Sequence, residues 1–443
     1  MKTDYEEGSL SLWGTIAMGT GVMIGAGIFV LTGQVAELAG DLFPLAFLLA
    51  AVISGFSAYS YVKMSNAFPS AGGIAAYLKK AYGEGTMTGA CALLMAFSMI
   101  INESLVARTF GTYALRPFGA EENGLFVALL AVGLIGFAYV VNAAGNKWIG
   151  GVSQVAAIIK IGGIVVFGLV AMWAAGFEFV PYDDGIANDT DAFGFVAGTA
   201  LAILAYKGFT TITNSGGEVK DPTKNVGRAI VWSLATCLAV YLIVAFGVAA
   251  SLTVPEIVEA KNYALAEASR PAVGQWGEWF TVAVALIATA SGLLASVFAV
   301  SRMLTMLTEM KLIPHRHFHL PGDLQHHLLI YTVVAAGLLA VFFDLTRIAS
   351  LGAIFYLIMD MAIHWGVLRH LREEVDAKAW IVTSALVLDG LVLAAFTTVK
   401  LQSDWVVVAV AYGGVAATFA LERWFLARSE PHEEAKSHAE EHG

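Results

Sequence analysis

The chain has 443 residues, of which 58% are hydrophobic and only 14% charged, with a net charge of −10. A soluble domain carries about 25% charged residues, so a soluble globular protein is excluded and a polytopic, all-α membrane protein is expected. The acids gather in one loop (Glu178, Asp183, Asp184, Asp189, Asp191) and in the tail (Glu430, Glu433, Glu434, Glu440, Glu441), there is no basic patch for nucleic acid, and the two cysteines, Cys91 and Cys237, fall in apolar runs without a disulfide or metal-ligand pattern.

Runs of about 20 apolar residues match a bilayer core. Twelve such spans are expected, at residues 10–32, 42–63, 87–115, 125–142, 149–177, 193–215, 229–251, 276–307, 328–343, 346–369, 380–399 and 405–426. The N-terminus, MKTDYEEGSL, is acidic and has no cleavable-signal pattern, so the first run is expected to remain as a helix. With that end inside, 17 of the 25 Lys and Arg residues fall on the cytoplasmic side, which places both termini in the cytoplasm by the positive-inside tendency. The inner (cell) membrane is the expected location.

Span 1 contains GTGVMIGAGIF, with Gly19, Gly21, Gly25 and Gly27 interrupting an apolar helix. A close helix contact of the GxxxG type is one reading; a break in the helix is the other. Span 3 reads LLMAFSMIINESLVARTFGTYAL, and Glu103 in it needs a partner, a proton or a cavity, because an ionised carboxylate at mid-membrane is costly. Span 5 carries Lys160 about eleven residues from its start, too deep for easy snorkelling to the surface.

The stretch from Ala205 to Pro222, AYKGFTTITNSGGEVKDP, interrupts span 6. Its Lys207–Gly208 pair, its threonines and Gly216–Gly217 favour unwound backbone, which survives at membrane depth only inside protein or against a water-filled cavity. A kinked helix satisfied by its neighbours is the plainer alternative. Spans 1 and 6 hold corresponding positions in two sets of five helices, and paired broken helices point to an inverted repeat with a solute site at the midplane.

Beyond span 7, VPEIVEAKNYALAEASRPAVG has the spacing of a short outer helix. The segment HRHFHLPGDLQHH holds His315, His317, His319, His326 and His327 and is expected to be a solvated loop, not a metal centre. Asp360 and His364 share a helix face at i and i+4, and with Asp389 they are expected to make interhelical hydrogen bonds. The Glu- and His-rich tail from Ser429 is expected to be disordered.

Four segments together resemble the amino acid-polyamine-organocation (APC) family of amino acid transporters, and in particular its proton-coupled, broad-specificity members: GVMIGAGIF, FPSAGGIAAYLKKAYGE, GFTTITNSGGEVKDPTKNVGRAI and SRMLTMLTEMKLIP. The resemblance covers spans 1 to 10. It implies a LeuT-like fold of two inverted five-helix repeats, residues 1–177 and 178–375, followed by two further helices at 376–428 and the tail at 429–443. It implies that a substrate carboxylate meets backbone amides at Ile24, Gly25, Ala26 and Gly27, and that the amino group meets carbonyls there and at Ala205, Tyr206, Lys207 and Gly208. Free N–H groups at a half-helix N-terminus suit an anion.

The resemblance further implies that Asn102 faces the substrate and that Lys160 occupies the place of a sodium ion in sodium-coupled relatives, touching carbonyls near Gly21 and the hydroxyl of Ser291. Thr210 stands where cation-selective members carry an acid, which points to a small or neutral amino acid, while Lys207 departs from the family's apolar residue. Glu103 and Lys207 flank the same expected cavity and form a candidate ion pair.

The expected function is secondary active amino acid transport by alternating access, coupled to protons, with an amino acid, protons and the lipid bilayer as partners. No cofactor or metal is expected, and no enzymatic activity. An exchanger and a transport-inactive amino acid sensor are the alternatives.

Overall fold

A computed structural model describes residues 8–70, 73–143, 147–177, 192–312 and 324–440. Among the described residues the structure is helical throughout; the sole β feature is an isolated bridge between Leu10 and Val219. The loop acids from Glu178 to Asp191 and the histidines His315, His317 and His319 lie outside the described residues.

The chain opens with α1 (Leu12–Met23), whose N-terminus is capped by Ser11 Oγ accepting from Gly14 N at 3.1 Å. Two non-helical residues, Ile24 and Gly25, separate it from α2 (Ala26–Ala39). A 3-10 turn at Gly40–Leu42 leads into α3 (Phe43–Ala67), started by Pro44, where the missing N–H costs nothing. The short α4 (Gly73–Tyr82) precedes α5 (Thr86–Leu115), α6 (Gly124–Ala143) and α7 (Lys147–Ala174).

Span 6 is divided into α8 (Ala192–Tyr206) and α9 (Phe209–Asn214), after which come α10 (Pro222–Ser251) and the two outer helices α11 (Val254–Glu259) and α12 (Ala264–Val273). Long helices complete the chain: α13 (Gln275–Glu309), α14 (Leu324–Phe342), α15 (Leu345–Gly366), α16 (Ala379–Ser403) and α17 (Trp405–Glu440). Eleven stretches are long and apolar enough to cross a bilayer, and the first of them, Gly27–Ala67, joins α2 and α3. Counting α1 with α2 as one broken span, and α3 separately, gives about twelve crossings.

Several boundaries differ from the sequence reading. The outer segment after span 7 is two helices, because the turn at Ala260–Tyr263 interrupts it. His326 and His327 lie on α14 and not in a solvated loop; His327 is buried, and His326 meets the Tyr139 hydroxyl at 3.1 Å. Helix continues through the tail to Glu440, consistent with its Glu, Ala and Lys content.

The packing places the broken spans inside a helical shell. α2 lies along α8, α1 along α10, α3 between α8 and α10, and α5 against α13 and α15. On the side opposite the N-terminus, Arg116 forms ion pairs with Glu121 and Glu267 and, at 2.9 Å, with Glu278, which ties the end of span 3 to α12 and to the start of α13. On the N-terminal side, Leu10 N donates to Glu218 O at 2.9 Å, Lys220 N donates to Leu10 O at 2.8 Å, and Arg302 pairs with Glu218 at 2.8 Å.

The two breaks are joined by one residue of α10. The Tyr241 hydroxyl lies 2.7 Å from Met23 O and 3.1 Å from Ala205 O, carbonyls that end the first halves of spans 1 and 6. Tyr241→Phe removes the donor and keeps the ring. It is expected to destabilise the protein by about 1–3 kcal/mol, the usual cost of leaving a buried polar group unpaired; an unchanged melting temperature in detergent would show that the carbonyls are satisfied elsewhere. Arg116→Met is expected to cost about 3–5 kcal/mol by stranding partly buried carboxylates, with partial rescue when Glu278→Gln is added.

Candidate functional site

The site begins with the backbone of the first break. Ile24 N donates to Thr20 O at 2.8 Å and Gly25 N to Met23 O at 2.9 Å, so these two amides are committed within the chain and are not offered to a ligand. The N–H groups of Ala26, Gly27 and Ile28 form the first turn of α2 and have no partner within that helix. They carry the positive end of the α2 dipole, which favours an anion.

The second break is tighter than the sequence suggests. Only Lys207 and Gly208 fall outside regular helix before α9 resumes at Phe209, and Gly208 itself has near-helical angles of φ −59° and ψ −13°. The threonine hydroxyls turn back on the chain: Thr210 Oγ1 donates to Lys207 O at 2.9 Å and Thr213 Oγ1 to Thr210 O at 2.6 Å. Hydroxyl groups thus supply the donors that a membrane cannot.

Glycine lets the two breaks approach each other. A Cβ on Gly208 would lie 2.8 Å from Met23 N, and one on Gly27 would lie 3.1 Å from Ala205 Cα. Between them is a cavity lined by Gly27, Asn102, Ala205, Lys207, Thr210 and Ser296, among others. The space open to a water centre is about 20 Å³, room for roughly one water. An amino acid therefore enters only with movement of side chains such as Met23 and Met99.

Of the residues expected at the site, Gly27, Asn102, Ala205, Lys207, Gly208 and Thr210 line this cavity, whereas Ile24, Gly25 and Tyr206 do not. The Tyr206 side chain turns away, donating to Phe47 O on α3 at 3.2 Å and packing edge-on against Tyr241. Thr211, one of the threonines of the span 6 break, also lines the cavity, as do Ser296 and Met99, which were not singled out from the sequence. A serine or methionine in an apolar span has no distinguishing local pattern, so only the helix packing reveals them.

The expected ion pair between Glu103 and Lys207 is not formed directly. Lys207 Nζ donates to Ser98 O and Ser98 Oγ, both at 3.0 Å, and lies 5.9 Å from the ring centre of Tyr356. Glu103 Oε1 accepts from Ser296 Oγ at 3.2 Å, while its Oε2 has no hydrogen-bond partner. A serine on the same helix as Glu103 reaches the lysine first, so the two charges are held apart by neutral groups.

Lys160 lies beside the first break. Its Nζ is 2.5 Å from Gly21 O and 3.4 Å from Ser291 Oγ, which links α7 to α1 and α13. The side chain is buried, and among the described residues no carboxylate is within 4 Å of it.

Comparison with known proteins agrees with this architecture. The amino acid permease family profile matches residues 10–418. An uncharacterised protein of Methanocaldococcus jannaschii is 29% identical over 93% of this chain and 92% of its own. The inner membrane transport protein YbaT of Escherichia coli is 27% identical over 85% and 87% respectively, and the branched-chain amino acid permease BcaP of Lactococcus lactis is 28% identical over about half of each chain, 51% and 52%. The crystal structure of MhsT in complex with L-phenylalanine superposes with a TM-score of 0.64 over 86% of this chain and 98% of that one, at 12% identity, which shows a shared LeuT-like fold. With the family profile spanning nearly all the membrane helices and two interrupted spans meeting at one cavity, the chain belongs to the amino acid permease family.

Proposed function

We propose that this multi-pass membrane protein is a proton-coupled amino acid transporter that works by alternating access. Membership of the amino acid permease family supports amino acid transport, and the observation that carries the proton coupling is the contact of Lys160 Nζ with Gly21 O at 2.5 Å. A protonated lysine has three donors and a full charge to hold α1, α7 and α13 together; a neutral one has two donors and no charge. Loss of the proton therefore loosens α1 at Gly21, three residues before the break begins at Ile24.

The substrate carboxylate binds the free amides at Ala26–Ile28, and the amino group binds among carbonyls at the C-terminal end of α8, with Asn102 and Thr210 beside it. Ala205 O is already in contact with Tyr241, Lys207 O with Thr210 and Gly208 O with the Thr211 amide, which leaves Tyr206 O for the amine. Proton and substrate thus act on the same half-helix. Each drives the other only because each has a different affinity for the outward-open and inward-open states. The N-terminal side is cytoplasmic in this reading, and the repeats at 1–177 and 178–375 rock against one another.

The side chain of the substrate is small or neutral where Thr210 replaces an acid. A second reading, an acidic substrate, is favoured by Lys207, which lines the cavity and is held only by the neutral groups of Ser98. Thermal-shift measurements of the purified protein against all amino acids at two pH values separate these readings.

In proteoliposomes with an imposed pH gradient, Lys160→Ala is expected to lose concentrative uptake while still binding substrate in thermal shift. Uptake against a gradient by this variant would remove the coupling role. Gly208→Leu is expected to weaken binding at least about 100-fold, or about 2.7 kcal/mol, in protein that still inserts and gives a monodisperse peak. Wild-type affinity in that folded variant would place the substrate elsewhere.

A further inference from the structure

A second group of ionisable side chains is buried away from the cavity, where α15 and α16 pack against α3. Asp360 and His364 on α15 and Asp389 on α16 are each fully buried. His364 Nε2 lies 3.2 Å from Asp389 Oδ2 and 3.7 Å from Asp360 Oδ2. From α3, Ser57 Oγ donates to Asp360 Oδ2 at 2.6 Å, Tyr61 OH donates to Asp360 Oδ1 at 2.5 Å, and Ser60 Oγ lies 2.9 Å from His364 Nδ1.

The two carboxylates differ in how they are satisfied. Both oxygens of Asp360 accept hydroxyl donors, which favours its ionised form, whereas neither oxygen of Asp389 has a hydrogen-bond partner. His364 Nε2 also makes no well-directed hydrogen bond to either acid.

Charge counting then limits the protonation states. With a neutral imidazole and two carboxylates the cluster carries a charge of −2, and an uncompensated buried charge costs several kcal/mol. His364 is the only described cationic group in ion-pair contact with either acid. Tyr61 and Tyr356, the other titratable groups facing the cluster, add no positive charge, and Lys207 on the far side of the Tyr356 ring is held by Ser98. Two protons make the cluster neutral.

We propose that Asp360, His364 and Asp389 form a second proton-binding site, separate from Lys160, in which His364 and Asp360 make a charged pair and Asp389 retains a proton. The same three groups could ligate a divalent metal. That reading has only three protein ligands, in a place where all three side chains are inaccessible, whereas a closed structural site takes four and a metal needs an entry path.

The site has a physical link to the second break. The Tyr61 ring packs edge-on against Phe209, the first residue of α9, with ring centres 5.2 Å apart, while its hydroxyl holds Asp360. Loss of the Asp389 proton adds a negative charge beside the pair, draws the imidazolium away from Asp360, and so changes the hold of Asp360 on Tyr61 and of Tyr61 on α9.

The test uses the full-length purified protein and no transport measurement, so it stands or falls separately from the transport reading. In infrared difference spectra against the wild type, Asp389→Asn is expected to lose one buried carboxylic-acid carbonyl component that Asp360→Asn and Glu103→Gln both retain. Asparagine copies the shape of the protonated acid, so Asp389→Asn is expected to melt close to the wild type, whereas Asp360→Asn melts lower because the imidazolium loses its counter-charge. Hydrogen exchange of residues 205–214, corrected for its intrinsic pH dependence, is expected to step up at alkaline pH in the wild type and to lose that step in Asp389→Asn. Carbonyl bands identical in wild type and Asp389→Asn, or a stoichiometric divalent metal in the wild type that His364→Gln removes, would overturn the site. Absence of the exchange step would overturn its link to the break.

Discussion

The hydroxyl of Tyr241 reaches two interrupted helices at once, contacting Met23 O and Ala205 O. In a bilayer, every backbone group that leaves a helix must find a partner inside the protein, and this constraint shapes the whole centre of the molecule. It explains why the first break turns its own amides inward at Ile24 and Gly25, why threonine hydroxyls fold back onto Lys207 and onto α9, and why a tyrosine of α10 stands behind both breaks. What remains without a partner inside its own helix is the first turn of amides of α2, which begins beside a cavity about the size of a water that Gly27 lines.

Charge is handled by a similar economy. Glu103, Lys160 and Lys207 all sit in membrane spans, and none of them makes a direct ion pair with another among the described contacts. Each is held by serine hydroxyls or backbone carbonyls. Neutral ligands leave the charge state of such groups open to change, whereas a tight ion pair would lock it. The contrast with Arg116 is informative: at the side opposite the N-terminus this arginine binds three carboxylates and fixes α12 and α13 to the end of span 3. The permanently charged knot lies at the rim, and the lightly held charges lie at the centre.

The sequence by itself determined the class and the ground plan. Long apolar runs demand a membrane and helices, and the two clusters of glycine and polar residues mark the interrupted spans because no other pattern explains them at that depth. Lys160 was legible for the same reason, since a lysine eleven residues into an apolar span is conspicuous, and its neighbours Gly21 and Ser291 followed from the family resemblance. The tertiary structure alone decided which polar groups meet. Glu103 and Lys207 looked like partners by charge, but Ser98, one helical turn from Asn102, reaches the lysine first. Tyr206 adjoins the break in sequence yet faces α3, and Ser296 and Asp389 join their clusters from helices far along the chain. The physical reason is that hydrophobic periodicity carries little information when a helix is apolar on every side: it shows that a span is buried, and leaves to the packing of neighbouring helices which of its faces, and so which of its polar side chains, comes into contact.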